Sequence, residues 1–170
     1  YPRLLAHIHS PPVILYGKGN REALTPSHGI AVVGTRRPTA YGREATATIV
    51  TGLTAARVAI ISGLATGIDT QAHRTALEQG GATIAVLGSG SDPASLFPPE
   101  NRGLSERIAA SGGAVISEYA PGTPAVKEHF PMRNRIIAGL SHGALVVEAR
   151  EKSGALITAR SALEENREVF

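Results

Sequence analysis

Short apolar runs, each closed by glycine or a small polar residue, recur along this chain. Ile30 to Val33 ends at Gly34, Val58 to Ile61 at Ser62-Gly63, and Thr83 to Leu87 at Gly88. Ala114 to Ile116 ends at Ser117-Glu118, and Ala144 to Val147 at Glu148. These runs do not alternate apolar with polar, as expected of parallel strands covered on both faces. Stretches with helical spacing separate or follow them: Tyr41 to Ala56, Asp69 to Gln79, Pro99 to Ala110, Met132 to Leu140 and Ala155 to Glu165. Asp69 suits a helix cap, and Gly80-Gly81 a helix stop. Strand and helix thus alternate five times with short connections, which predicts an α/β fold with a doubly wound, mostly parallel sheet and helices on both faces. Right-handed crossovers then bring the strand C-termini to one edge, where ligands bind in such sheets.

The first 29 residues read as an N-terminal extension of a single domain spanning 1–170. Tyr1 to Ser10 suits a short helix, and Pro11-Pro12 breaks it. Val13 to Tyr16, ending at Gly17, suits an edge strand, and Gly19 to Gly29 a loop. The closing run Glu168-Val169-Phe170 is strand-like, and the chain opens abruptly at Tyr1-Pro2, as expected of the core of a longer protein.

Composition narrows this picture without changing it. With 170 residues and 42% hydrophobic content the chain suits one globular core. It holds no run of about 18 apolar residues, so no membrane span is expected, and its start lacks the pattern of a secretory signal. Cysteine is absent, which excludes disulfides and thiolate chemistry and fits a reducing, cytoplasmic setting. The net charge is +3, and lysine occurs only at Lys18, Lys127 and Lys152. Arginine, which carries the rest, grips phosphate bidentately and stacks on flat rings.

The candidate chemistry follows the strands. Gly34, Thr35 and Arg36 follow the first of the five runs, Ser62 and Gly63 the second, Gly88 the third, and Ser153 and Gly154 lie after the fifth. Glycine lets backbone approach an anion, and a following helix N-terminus offers unpaired N–H groups. Tight turns between strand and helix use glycine in any α/β domain, so one such turn alone means little. Here several converge with Arg36, Lys127, Arg133 and Arg135, and an anion such as phosphate is the expected ligand. The segment KEHFPMRNR, Lys127 to Arg135, carries the densest charge. If Pro131 starts the helix, the two arginines occupy its first turn and oppose the helix dipole, an arrangement that a bound polyanion would relieve. Phe130 suits either stacking on a base or a hydrophobic staple over the helix start.

Enzymatic motifs are sparse. There is no G-x-x-x-x-G-K-S/T phosphate loop, no G-x-G-x-x-G after the first of these runs and no metal-ligand cluster. Neither a metal nor a cofactor is expected. Asp69 and His73 lie one helical turn apart, but a capping aspartate and a partly buried histidine explain them more simply. Glu118 and Glu148, at strand ends, are expected to pair with arginines.

Seven ordered segments carry a family resemblance: YGKG at 16–19, VVGTRRPTAYG at 32–42, ISGLATGIDTQAH at 61–73, TIAVLGSG at 83–90, SEYAPG at 117–122, HFPMRNRIIAGLS at 129–141 and VVEAREKSGALITA at 146–159. Over essentially its whole length the chain resembles the DNA processing protein A (DprA, or Smf) family. The resemblance implies an extended Rossmann-like domain that binds single-stranded DNA during natural transformation, protects incoming strands and helps load the RecA recombinase. It further implies a homodimer that is not a catalyst, with flanking domains outside this chain. By motif, Arg36, Lys127 and Phe130 correspond to the family's DNA site, and Gly34, Thr35, Arg133, Asn134 and Arg135 sit in the same motifs. Phosphate binding is implied for these residues, and a base or sugar contact for Phe130. The chain departs from the family at Phe97-Pro98, where a Tyr-Pro pair is more usual. An alternative class is a nucleotide-binding or phosphoribohydrolase-type enzyme of the related lysine decarboxylase-like superfamily, with Glu148 and Arg133 as its catalytic pair.

Overall fold

The computed structural model describes residues 1–170. Seven strands form one sheet: β1 (Tyr16–Gly19), β2 (Gly29–Val33), β3 (Ala59–Ser62), β4 (Thr83–Leu87), β5 (Ala114–Ser117), β6 (Gly143–Val146) and β7 (Glu168–Val169). Their order across the sheet is β1-β5-β4-β3-β2-β6-β7. All neighbours are parallel except the edge pair β1–β5. Six helices accompany them: α1 (Arg3–Ala6), α2 (Ala40–Ala55), α3 (Ile68–Glu78), α4 (Arg102–Ala110), α5 (His129–Leu140) and α6 (Gly154–Glu164). The expected doubly wound α/β architecture is the one observed.

Side-chain alternation along each strand divides the core between two faces. Ala31, Val33, Ile61, Ile84, Val86, Ala114 and Ile116 point to one face, where Leu5, Ile8 and the apolar side of α5 and α6 cover them. Val32 and Ile60 point to the other, beneath α2 and α3, and Ala85, Leu87 and Val115 pack there with Leu104 and Ile108 of α4. Since both faces are covered, the strands need an apolar residue at every position, which explains the continuous runs in the sequence.

The winding direction reverses at β2. From β2 the chain steps outward through β3, β4 and β5, then returns through α5 to β6 on β2's other side. Ligands of such sheets bind beyond the strand C-termini at this switch point.

Several element boundaries differ from expectation: the first helix is only Arg3–Ala6, and α4 starts at Arg102 after a 3-10 turn at Pro99–Asn101. The edge strand is Tyr16–Gly19, not Val13 to Tyr16. Val13 is 92% exposed, so its apolar character marks no strand. Pairing geometry decides instead: a Cβ at Gly17 would meet Ile116 Cγ2 at 3.0 Å and Val115 O at 3.1 Å, so glycine permits the close approach to β5. A further difference is α5, which begins at His129 rather than Pro131. Proline is tolerated at this third position because first-turn N–H groups have no partner within the helix. Arg133 and Arg135 therefore lie in the second turn, where the dipole's opposition has faded. The expected loop from Gly19 to Gly29 also contains a short 3-10 turn, Arg21–Leu24, whose cap Asn20 accepts from the Glu22 N–H at 2.9 Å.

Candidate functional site

A small cleft of about 70 Å³ opens at the switch point. Gly34 and Arg36 line it from the end of β2, Ala65 and Asp69 from the start of α3, Phe130, Arg133 and Asn134 from α5, and Gly154 and Thr158 from α6. A larger cavity, about 600 Å³, lies along β1 and the N-terminus, and none of the expected anion-binding residues lines it.

Arg36 is exposed on the turn after β2, with its guanidinium carbon 5.6 Å from the centre of the Phe130 ring. This is within cation–π range, and it leaves the guanidinium edge free for an anion. Phe130 is half-buried and tilts against Phe97, with ring centres 5.8 Å apart. A Cβ at Gly88 would meet Phe130 Cδ1 at 2.9 Å, so glycine there makes room for the ring. Lys127 is exposed just before α5.

Arg133 has a different environment. It is 5% exposed and donates through Nη1 to the carbonyl of Gly63 at 2.9 Å and to that of Val86, and through Nε to Asn134 Oδ1 at 3.2 Å. Asn134, 7% exposed, donates to the Gly154 carbonyl at 3.2 Å. Together they tie α5 to β4, to the β3–α3 turn and to the start of α6. Burial lowers the Arg133 pKa to about 10, with Arg36 pushing the same way and Asp69 opposing. Asp69 accepts from the N–H groups of Gly63 at 3.0 Å and Ala65 at 3.3 Å. Burial nevertheless raises its pKa, although Arg133 and those donors oppose the rise. Two arginines and one carboxylate on so small a cleft leave it net positive.

Arg135 points elsewhere, because residues two apart on a helix face nearly opposite ways. It forms the chain's one salt bridge, with Glu118, at 2.6 Å. Glu118 thus pairs with an arginine as expected. Glu148 does not: its carboxylate accepts from the Thr39 N–H at 3.0 Å and hydroxyl at 3.1 Å, ordering the turn before α2. Nor does Glu148 form an ion pair with Arg133, as the phosphoribohydrolase alternative would want. That alternative is not favoured.

The expected phosphate-binding turns separate on inspection. A Cβ at Gly34 would strike Ile68 Cγ1 at 2.5 Å, and one at Gly63 would lie 2.6 Å from Arg133 Nη2 and 2.8 Å from Asp69 Oδ2. Those glycines serve close packing. The Ser62 hydroxyl donates to the Val32 carbonyl at 2.6 Å, and the Thr35 hydroxyl accepts from the Arg37 N–H at 3.2 Å. Gly154, by contrast, opens on free space, whereas the Ser153 hydroxyl beside it at the start of α6 is buried without a partner.

Asp69 is the second residue of α3, not its cap, which is Gly67. His73 is fully buried rather than partly so. Its Nδ1 lies 2.7 Å from the Thr83 hydroxyl, which itself donates to the Ile60 carbonyl at 2.8 Å, so Nδ1 carries the proton and donates. Burial lowers its pKa to about 3, which keeps the ring neutral. Sequence reasoning overlooked Ala65, Pro131, Ile137 and Thr158 in the cleft lining; their small or apolar side chains give no chemical signal. Phe97 was noted only as a departure from a motif, although it stands against Phe130.

Comparison with known proteins adds a second, independent line. Protein Smf from Synechocystis is 51% identical over the whole of this chain, which covers 43% of that protein. The crystal structure of DNA processing protein A from Streptococcus pneumoniae superposes with a TM-score of 0.92 at 45% identity, over 100% of this chain and 58% of that one. DNA processing protein A from Helicobacter pylori, which binds single-stranded DNA, matches with a TM-score of 0.91 at 31% identity, over 100% of this chain and 76% of that one. The chain spans about half the length of the curated relatives it matches. Its fold and motifs agree with a match that runs over residues 1–170, and the chain belongs to the family of DNA recombination-mediator protein A.

Proposed function

We propose that this chain binds single-stranded DNA at the switch-point cleft. The observation that carries the reading is Arg36 held over Phe130 at the mouth of a net-positive cleft, which sets a phosphate-binding group beside an aromatic ring. A cleft of about 70 Å³ has room for a small anionic group, so the base stays outside, on the rim. Arg36 and Lys127 take backbone phosphates, and Phe130 takes a base or sugar. Gly154 and the α6 N-terminus supply further phosphate contacts, with Ser153 shaping the turn before them. Gly34, Thr35, Ser62, Gly63 and Gly88 shape the turns that hold these groups. Arg133 and Asn134 supply positive potential and rigidity from beneath, and Arg135 fixes the outer face of α5 through Glu118. Unpaired bases are needed for stacking, so single strands bind more tightly than duplex.

The chain acts by binding rather than by turnover. The family supports a wider role in transformation and recombination: a cytoplasmic homodimer that protects incoming single strands and helps load RecA, with flanking domains in the whole protein. The absence of any helix long and apolar enough to cross a membrane is compatible with this setting.

Titration of a labelled oligonucleotide as single strand and as duplex, at two salt concentrations, tests the reading. Single-strand affinity is expected to fall steeply with salt, because each phosphate contact releases counterions. Arg36→Ala and Lys127→Ala are each expected to weaken binding and flatten the salt dependence. Equal affinity for duplex, or unchanged affinity in both variants, would sink the assignment.

A further inference from the structure

We propose that Phe97 is a second base-stacking surface, extending the one that Phe130 begins, so that the site takes unpaired bases on two rings rather than one. This deepens the single-strand reading above and rests on it.

Phe97 is 42% exposed, although its neighbours on both sides are buried. Leu96, 2% exposed, packs into the core with Leu87 and Val115. Asn101, 3% exposed, donates to the Leu64 carbonyl at 2.9 Å and to the Thr70 hydroxyl at 2.8 Å. At the loop's other end, Asp92 accepts from the Ser95 N–H at 3.1 Å and from the Gly122 N–H at 2.6 Å, which staples the β4–α4 loop to the one after β5. The backbone around Phe97 is thus tied down before and after, while its ring projects into solvent. A lone exposed apolar side chain is ordinary. An exposed ring fixed in place beside a second ring, itself under an arginine, is a different arrangement.

The geometry suits adjacent bases. The Phe97 and Phe130 rings are 5.8 Å apart and inclined by 56°, a stable tilted contact that leaves no gap for a base between them. Each ring offers its own outer surface, so bases stack side by side, with Arg36 on the Phe130 side to take phosphate. A held ring loses little freedom on binding, which favours affinity. Stacking of this kind tolerates any base, because every base has a flat face.

The test measures oligonucleotide affinity of the same chain at fixed salt. Phe97→Ala is expected to weaken single-strand binding at least about fivefold, the low end for losing one stacked base. Phe97→Leu is expected to be as weak, and Phe97→Tyr to bind like wild type. Phe97→Tyr is expected to keep the wild-type urea midpoint, and Phe97→Ala and Phe97→Leu to lower it only slightly, because the ring is 42% exposed. The chain has no tryptophan, so Phe97→Trp introduces a single indole. Its fluorescence is expected to change with a base-bearing oligonucleotide and to stay constant with an abasic strand carrying the same phosphates. Full binding by Phe97→Leu would show that the ring merely covers Phe130 and would overturn the proposal, as would an equal response to the abasic strand. If Phe97→Ala binds normally while Arg36→Ala and Lys127→Ala do not, this proposal falls and the single-strand reading stands. If none of the three variants loses affinity, the reading of the site falls with it.

Discussion

At the scale of single residues, the two arginines of the cleft do different work although the sequence writes them alike. Arg36 has its guanidinium at the surface over Phe130. Arg133 is buried and holds the carbonyls of Gly63 and Val86. Substituting Arg133 by alanine leaves those carbonyls without a donor and Asp69 without its nearest countercharge. Such a change is expected to destabilise the fold by about 2 kcal/mol or more. Arg36→Ala is expected to leave stability unchanged while affinity for single strands falls. Urea unfolding of both variants beside oligonucleotide titration checks the division; equal stability of the two would refute it. Gly63→Ala belongs with Arg133, because its methyl would crowd both Arg133 Nη2 and Asp69 Oδ2, and a lowered urea midpoint is expected. Charge at these positions was legible in the sequence. Burial was not, because it depends on β4 and the β3–α3 turn closing around a residue that follows them by 47 and 70 positions.

At the scale of elements, the site is a set of turns held at fixed offsets. α5 starts early enough for Phe130 to fall in its first turn, so the ring's position is set by helix geometry. The loops after β4 and β5 are joined through Asp92, whose carboxyl is held below the usual range mainly by the Gly122 N–H. Because the folded pKa is depressed, this staple is complete above the ordinary carboxylate pKa and is lost only as pH falls through the lowered value. Asp92→Ala is expected to speed amide exchange in both loops and to weaken oligonucleotide binding, without touching the cleft itself. Unchanged exchange at Gly122 would show that the staple is dispensable. Asp92 lies amid Gly-Ser-Gly-Ser and proline, where carboxylates often bond to nearby backbone. The partner 30 residues away could not be read from the sequence.

At the scale of the whole molecule, α3 holds a buried neutral histidine against the sheet, and its titration couples folding to pH. His73 has a pKa of about 3 when folded, against 6.5 as an ordinary histidine. Below pH 6.5 the unfolded chain binds a proton that the folded chain refuses, so stability falls with pH at up to about 1.4 kcal/mol per unit. From pH 7.5 to pH 5 the loss is expected to be roughly 2 kcal/mol. Asp69, with its raised pKa, acts in the opposite sense, from the ordinary carboxylate value up to its raised one. Urea unfolding across this range checks the slope, and His73→Asn is expected to flatten it. A flat wild-type profile would mean that water reaches the ring.

The order of apolar runs and helical stretches sets the layered α/β architecture and the edge of the sheet where the proposed site lies. Continuous apolar runs demand cover on both faces, and alternation with helices dictates parallel crossovers. The sequence also determined the family, through motifs placed in order along the chain. Tertiary structure alone decided which cations reach solvent and which rings stand together. Arg36, Phe130 and Phe97 come from three separate strand-to-helix connections. Their spacing depends on where β2, β4 and β5 lie in the sheet, and on glycines at 34, 63 and 88 whose missing side chains let other elements approach. The position of β1 was decided the same way. Close pairing to β5 through Gly17 outweighed the stronger strand propensity of Val13 and Ile14, because hydrogen bonds form only where the backbone can come near.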